Sequence, residues 1–145
     1  MVDVQEMFVH PGTQPNGLQA ADDGLWVVDQ VDNYIYTLDW ENGSVIENMP
    51  AEVAHSSGIT LGGGYIWISS TFDVEAAGDD GSPKLVKCNP DGSTADRYYT
   101  PGSKLNPLAD RITGAHGMEW VDGENMWVVV PPSQTVYLMN PKTMA

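Results

Sequence analysis

Apolar positions in this chain fall in short runs of period two, without the three-and-four spacing of a helix. Tyr34–Asp39, Lys84–Asn89 and Thr135–Asn140 alternate and are rich in β-branched or aromatic residues, which predicts strands. Each run is followed by a turn signal: Asn42-Gly43, Pro90-Asp91-Gly92 and Asn140-Pro141. Glycine accepts positive φ and proline presets the first turn residue, so these pairs end strands. No long stretch has helical period, and the pattern predicts an all-β chain with almost no helix.

The pattern also repeats. NGLQAADDGLWVVDQ at 16–30, SGITLGGGYIWISST at 57–71 and HGMEWVDGENMWVVVPP at 116–132 are copies of one plan. Gly17, Gly58 or Gly117 opens each copy, an apolar residue follows, and a Gly/Asp turn leads to an apolar strand bearing Trp26, Trp67 or Trp127. With the alternating strand and a fourth strand at Ser44–Met49 and Ala95–Thr100, the repeat has the form of a β-propeller blade, four antiparallel strands in about 40 residues. The blades are expected near 17–50, 58–100 and 117–145, in a single domain over 1–145. The third copy lacks its fourth strand, while Val4–Val9 stands before the first copy as Ser44–Met49 stands before the second.

Three blades do not close a ring. Two chains in a C2 homodimer make a six-bladed ring, the strand at 4–9 closing a blade of the partner in trans and covering two exposed strand edges. The alternative is a segment of a longer propeller. The three tryptophans are expected in the core between blades.

Charge narrows the partners. The chain carries 20 acidic and 6 basic residues, a net charge of −14, which disfavours nucleic acid and anionic membrane. No apolar run is long enough to span a membrane. The start shows neither the basic nor the apolar region of a signal peptide, which points to a cytoplasmic protein, with a mature secreted form as the alternative. The single Cys88 falls on a predicted strand and is expected to be a buried, inert thiol.

Candidate chemistry gathers at one end of the blades. Two long loops, 71–83 and 101–115, are expected on the same face, which marks it as the binding face. Residues flanking the glycines would reach the channel mouth: Asn16 and Gln19; His55, Ser57 and Thr60; His116 and Glu119. His55, His116 and Glu119 form the candidate catalytic set and the candidate ligands of a divalent metal, Mg, Ca, Mn or Zn. The plainer reading of the two histidines is hydrogen bonding to loop carbonyls. Asn16, Gln19, Ser57, Thr60, Arg111 and Trp120 are candidate substrate contacts, Arg111 as an anion clamp and Trp120 as a wall. The acidic residues Asp73, Glu75, Asp79 and Asp80 lack the spacing of a calcium loop and read as a solvated loop.

The stretches NGLQAADDGLWVVDQVDNYIYTLDWENGSVI and AHGMEWVDGENMWVVVPPSQTVYLMNP resemble blades of the superfamily of virginiamycin B (streptogramin) lyases, gluconolactonase/senescence-marker proteins and NHL-repeat propellers. The shared features are the Gly-apolar inner strand, the Gly turn, the Leu-Trp-Val-like second strand and the turn after the third. The resemblance implies a propeller and, for the lyases, a divalent metal with a His/Glu set at the channel mouth, to which His116-Gly117 is similar. Among the gluconolactonases only Glu119 and Asn16 have counterparts. The expectation is a small-molecule lyase or hydrolase, with a non-enzymatic ligand- or peptide-binding propeller as the alternative.

Overall fold

In the computed structural model the chain is described over residues 3–72, 81–121 and 123–143. Strands β1 (Pro15–Ala21), β2 (Gly24–Asp29), β3 (Tyr34–Leu38) and β4 (Val45–Pro50) form one antiparallel sheet in chain order. Strands β5 (Ser56–Gly62), β6 (Tyr65–Ser70), β7 (Lys84–Cys88) and β8 (Thr94–Tyr99) form a second. A hairpin of β9 (Lys104–Asn106) and β10 (Arg111–Thr113) follows. The last sheet holds β11 (Met118–Trp120), β12 (Met126–Val130) and β13 (Thr135–Met139). One 3-10 turn, Pro131–Ser133, is the helical content of the described residues. No described helix is long and apolar enough to cross a membrane. The chain is thus all-β, with four antiparallel sheets that are consistent with propeller-like blades.

The blades stack through their inner strands, β1 beside β5 and β5 beside β11. Glycine makes this possible. A Cβ on Gly17 would lie 2.7 Å from the Gly58 Cα, and a Cβ on Gly58 would collide with the His116 carbonyl oxygen. Both β1 and β5 carry a register irregularity at this point, between Pro15 and Gly17 and between Ser56 and Gly58. The bulge brings the backbone toward the neighbouring blade, a known use of such irregularities.

Two apolar layers fill the space further out. Trp26, Val28, Ile35 and Met49 of the first blade pack on Ile59, Ile66, Ile68, Val86 and Cys88 of the second. Burial pushes the Cys88 thiol up to about 12, so it stays an inert hydrophobe. Trp67 and Leu85 then pack on Met118, Met126, Val128 and Val130 of the third blade. Trp26 and Trp67 each face the next blade and are accordingly 8% and 2% exposed. Trp127 departs from the core expectation at 43% exposed, because no fourth blade covers it among the described residues.

Two segments differ from the sequence reading. The pattern predicts a loop over 101–115, but strands β9 and β10 pair within that segment. It predicts a strand over 4–9, yet within one chain this segment joins no ladder. The segment packs on the outer face of the first blade, where Phe8 joins Val27, Tyr36 and Leu38 and lies against Gly43. Asp29 fastens the segment from beneath. Its buried carboxylate accepts the Gln14 N–H at 2.6 Å and the Val31 and Asp32 N–H groups at 2.9 and 3.0 Å. The His10 Nε2 lies 3.3 Å away, with its ring edge-on to Tyr36. Desolvation raises the Asp29 pKa, but the three backbone N–H groups and His10 outweigh it and hold the carboxyl below its usual range.

Gly58→Ala should lower stability by about 1–3 kcal/mol through backbone overpacking, read by urea unfolding; an unchanged midpoint would mean the strands do not meet there. Because the Asp29 pKa is depressed by folding, its contribution is complete above the unfolded value near 3.8 and disappears as pH falls through the folded value. The nuclear Overhauser contact between Phe8 and Gly43 should therefore persist at neutral pH and fade in that acid range, and Asp29→Asn should weaken it at neutral pH.

Candidate functional site

The residues beside the glycines are mostly occupied in joining blades. Asn16 donates through Nδ2 to the Ser56 carbonyl and to Gln30 Oε1, both at 3.2 Å. The Thr60 hydroxyl donates to Gln19 Oε1 at 3.1 Å and accepts the Trp120 N–H at 2.8 Å, so one side chain ties three blades. The Ser57 hydroxyl donates to the Ala115 carbonyl at 2.8 Å, and the Ser69 hydroxyl to the His116 carbonyl at 2.6 Å. Trp120 lies flat over Gly62, whose missing side chain leaves the room, and stacks on Trp67 with ring centroids 5.8 Å apart. Asn16, Gln19, Ser57, Thr60 and Trp120 thus all have structural contacts within the chain.

Three of the remaining candidates, His55, Arg111 and His116, meet on the loop face. There a pocket of about 450 Å3 opens between Thr71 and Phe72 at the end of β6, the β9–β10 hairpin, and Pro131-Pro132 after β12. Its volume is that of a small-molecule site. The hairpin is fixed to the blade by the Gly114 N–H, which donates to the Thr71 carbonyl at 2.9 Å. His116 stands in the wall. Its main chain is clamped by the Val129 carbonyl and by Ser69, while its side chain remains open to the pocket. Desolvation by the surrounding walls depresses its pKa below the usual 6.5, which favours the neutral, proton-accepting ring at physiological pH.

Phe72 is the residue the sequence reading missed. The His55 ring lies over it at 3.8 Å between centroids, and the Arg111 guanidinium sits 4.1 Å from its centroid. His55 takes a positive φ of 52°, an uncommon backbone state for a non-glycine residue. One aromatic ring therefore gathers two candidates from distant parts of the chain beside the pocket that His116 lines. The Thr71 Oγ1 is buried there with no hydrogen-bond partner among the described residues. A Phe at the start of a long loop carries no chemical signal of its own, which is why spacing could not find it.

Glu119 is not brought to this pocket. It stands opposite Trp127 in the β11–β12 register, on the exposed face of the third blade with Leu138. Among the described residues of one chain, no three His, Cys, Asp or Glu side chains are placed to hold a metal ion. The expected ligand set of His55, His116 and Glu119 therefore does not fit a metal within a single chain. The acidic residues Asp73, Glu75, Asp79 and Asp80 lie outside the described residues.

No protein-family model and no curated protein matches the chain. Among solved structures it is similar to the computationally designed Ika4 protein at 12% identity and a TM-score of 0.47, covering 95% of this chain and 99% of that one. It is similar to the computationally designed Ika8 protein at 12% identity and a TM-score of 0.47, over 97% of this chain and 50% of that one. Virginiamycin B lyase from Staphylococcus aureus is a distant structural neighbour at 14% identity and a TM-score of 0.43, over 90% of this chain and 57% of that one. The chain thus spans about half the length of these last two.

Proposed function

We propose that two copies of this chain form a six-bladed ring, and that each copy uses the loop-face pocket to bind a small carbonyl-bearing molecule and open it by lyase or hydrolase chemistry. The observation that carries the reading is His116, a neutral-favouring imidazole in the wall of a small-molecule-sized pocket that also holds a Thr71 hydroxyl with no hydrogen-bond partner among the described residues. His116 would act as general base. With an ester as substrate, it takes the proton from the carbon next to a carbonyl, a C=C bond forms to the adjacent carbon, and the ester oxygen on that carbon leaves as a carboxylate; or it takes a proton from a water that attacks the ester carbonyl carbon, and returns it to the alkoxide as the acyl C–O bond breaks and a carboxylate remains. Arg111, held on Phe72, would meet the carboxylate that either route releases. Both routes are written with the chain's own side chains, because His55, His116 and Glu119 form no metal-holding group among the described residues of one chain.

A specific observation favours a second reading. His116 is the sole titratable side chain among the described pocket walls, and prolines, Leu105 and Phe72 supply much of the rest. A pocket of this kind also suits binding without turnover.

A panel of lactones and cyclic esters, screened first by thermal shift and then for acid release, separates the two. His116→Ala should keep the fold, because the side chain is open to the pocket, and should lower kcat by about 10²–10⁴-fold, the usual loss of a general base. Because the folded pKa of His116 is depressed, activity should hold at neutral pH and fall on acidification below 6.5. Chelation should leave the rate unchanged. A fully active His116→Ala protein would overturn the catalytic assignment. Ligand binding with no turnover across the panel would favour the binding module, and loss of activity on chelation would restore a metal to the site.

A further inference from the structure

Resting on the two-copy ring proposed above, we infer the seam itself: Val4–Val9 pairs antiparallel with β13 of a second copy, with Phe8 opposite Val136 of the partner subunit, while Gly117, Glu119 and Trp127 form the inner half of the same contact. Equivalent places within one chain lead to this register. Phe8 and Met49 each stand nine residues before the glycine that opens an inner strand, Gly17 or Gly58. Met49 belongs to β4, the outer strand of the first blade, and packs on the turn of the second blade at Gly92, where a Cβ would lie 3.0 Å from the Met49 Cγ. Phe8 packs on the matching turn of the first blade, at Gly43. The N-terminal segment therefore already occupies the outer-strand place of a blade that would precede the first, and only the ladder partner is missing.

The third blade has the missing ladder. Its outermost described strand is β13, with no fourth strand beside it. In the first blade Ile35 pairs with Met49 and Thr37 with Glu47. Val136 and Leu138 hold the places of Ile35 and Thr37, counted from the turn that follows each strand. The transferred register sets Phe8 opposite the partner's Val136 and Glu6 opposite the partner's Leu138. The segment needs no rearrangement, because its contact with its own first blade is the one a closed ring retains.

The inner half of the seam gives the same answer independently. Leu18 is 65% exposed, although its counterparts Ile59 and Met118, each covered by a preceding blade, are 2% and 9% exposed. Trp127 is exposed where Trp26 and Trp67 are covered by a following blade. Gly17 and Gly58 each meet the backbone of the next blade, whereas a Cβ on Gly117 would meet nothing within 4 Å among the described residues. The described first and third blades thus present the two complementary halves of one contact. Glu119 holds the place of Thr60, which accepts the Trp120 N–H of the following blade. Across the seam the residue in the Trp120 place is the partner's Ala20. Glu119 is therefore a seam acceptor, apart from the pocket chemistry.

Three measurements on the full chain test this. Light scattering should give about twice the 15.7 kDa chain mass. Gly117→Val should leave the monomer folded, since no described residue of its own chain lies within 4 Å of a Cβ there, and weaken dimerisation about 10- to 100-fold by overpacking the seam. Glu6→Cys combined with Leu138→Cys should give a covalent dimer on mild oxidation, and neither substitution alone should. A wild-type monomer at all concentrations would overturn the ring and the seam together. A dimer that neither crosslinks through this pair nor responds to Gly117→Val would overturn the seam while leaving association by another face. The pocket reading stands or falls separately, on His116→Ala.

Discussion

The structure depends on how closely three inner strands approach one another. At Gly17 and Gly58 the backbone of one blade touches the backbone of the next, and a single methyl group would separate them. That approach brings polar groups of successive blades within reach. The Asn16, Ser57, Thr60 and Ser69 side chains then satisfy main-chain and amide groups on a neighbouring blade. Each such bond adds about 0.5–1.5 kcal/mol, and together they fix the rotation of one blade on another. Burial of the apolar layers between the three sheets stabilises the stack more than these bonds do, but only once the glycines have set the spacing.

The same contact prepares the site. The His116 carbonyl is buried against Gly58 and Ser69, so its backbone is fixed by blade stacking while its ring faces the pocket. An imidazole on a clamped backbone is positioned without the entropy loss of a mobile loop, as the proposed general base requires. The opposite wall comes from the hairpin, tied down at Thr71, and from Phe72, on which His55 and Arg111 rest. Pocket geometry is thus a consequence of inter-blade packing.

The blades were legible in the sequence because their signals are steric and local. A glycine, a turn and a tryptophan at fixed spacing reflect demands within some fifteen residues, and antiparallel strands run through all three of the repeated segments. The roles of Asn16, Gln19, Ser57 and Thr60 were not legible. Their partners lie 40 to 60 positions away on another blade, and alternation along one strand is silent about which strand lies beside it. A polar residue on an inner strand looks the same whether it lines a channel or bridges to a neighbour. The hairpin of β9 and β10 was hidden for another reason: its strands are three residues long, too short for a period to register. The exposure of Trp127 is informative because the sequence pattern treats it as equal to Trp26 and Trp67, and only the stacking order separates them.

Strand β11 and the residues just before it join the two proposals. His116 faces the pocket, Gly117 opens toward the proposed seam, and Glu119 stands on the exposed sheet face beside Trp127. Association would double a net charge of −14, which opposes it. That repulsion is spread over the surface and screened beyond about 8 Å at physiological ionic strength. The apolar surface at the ends of the chain is concentrated, with Leu18 on one side and Trp127, Val129, Val136 and Leu138 on the other. Burying one large apolar side chain alone is worth about 1.5–3 kcal/mol, and a closed ring would contain each seam twice. In the proposed dimer, localised apolar burial would therefore outweigh diffuse charge repulsion at physiological salt, and closing the seam would immobilise the segment before β11 from which His116 projects.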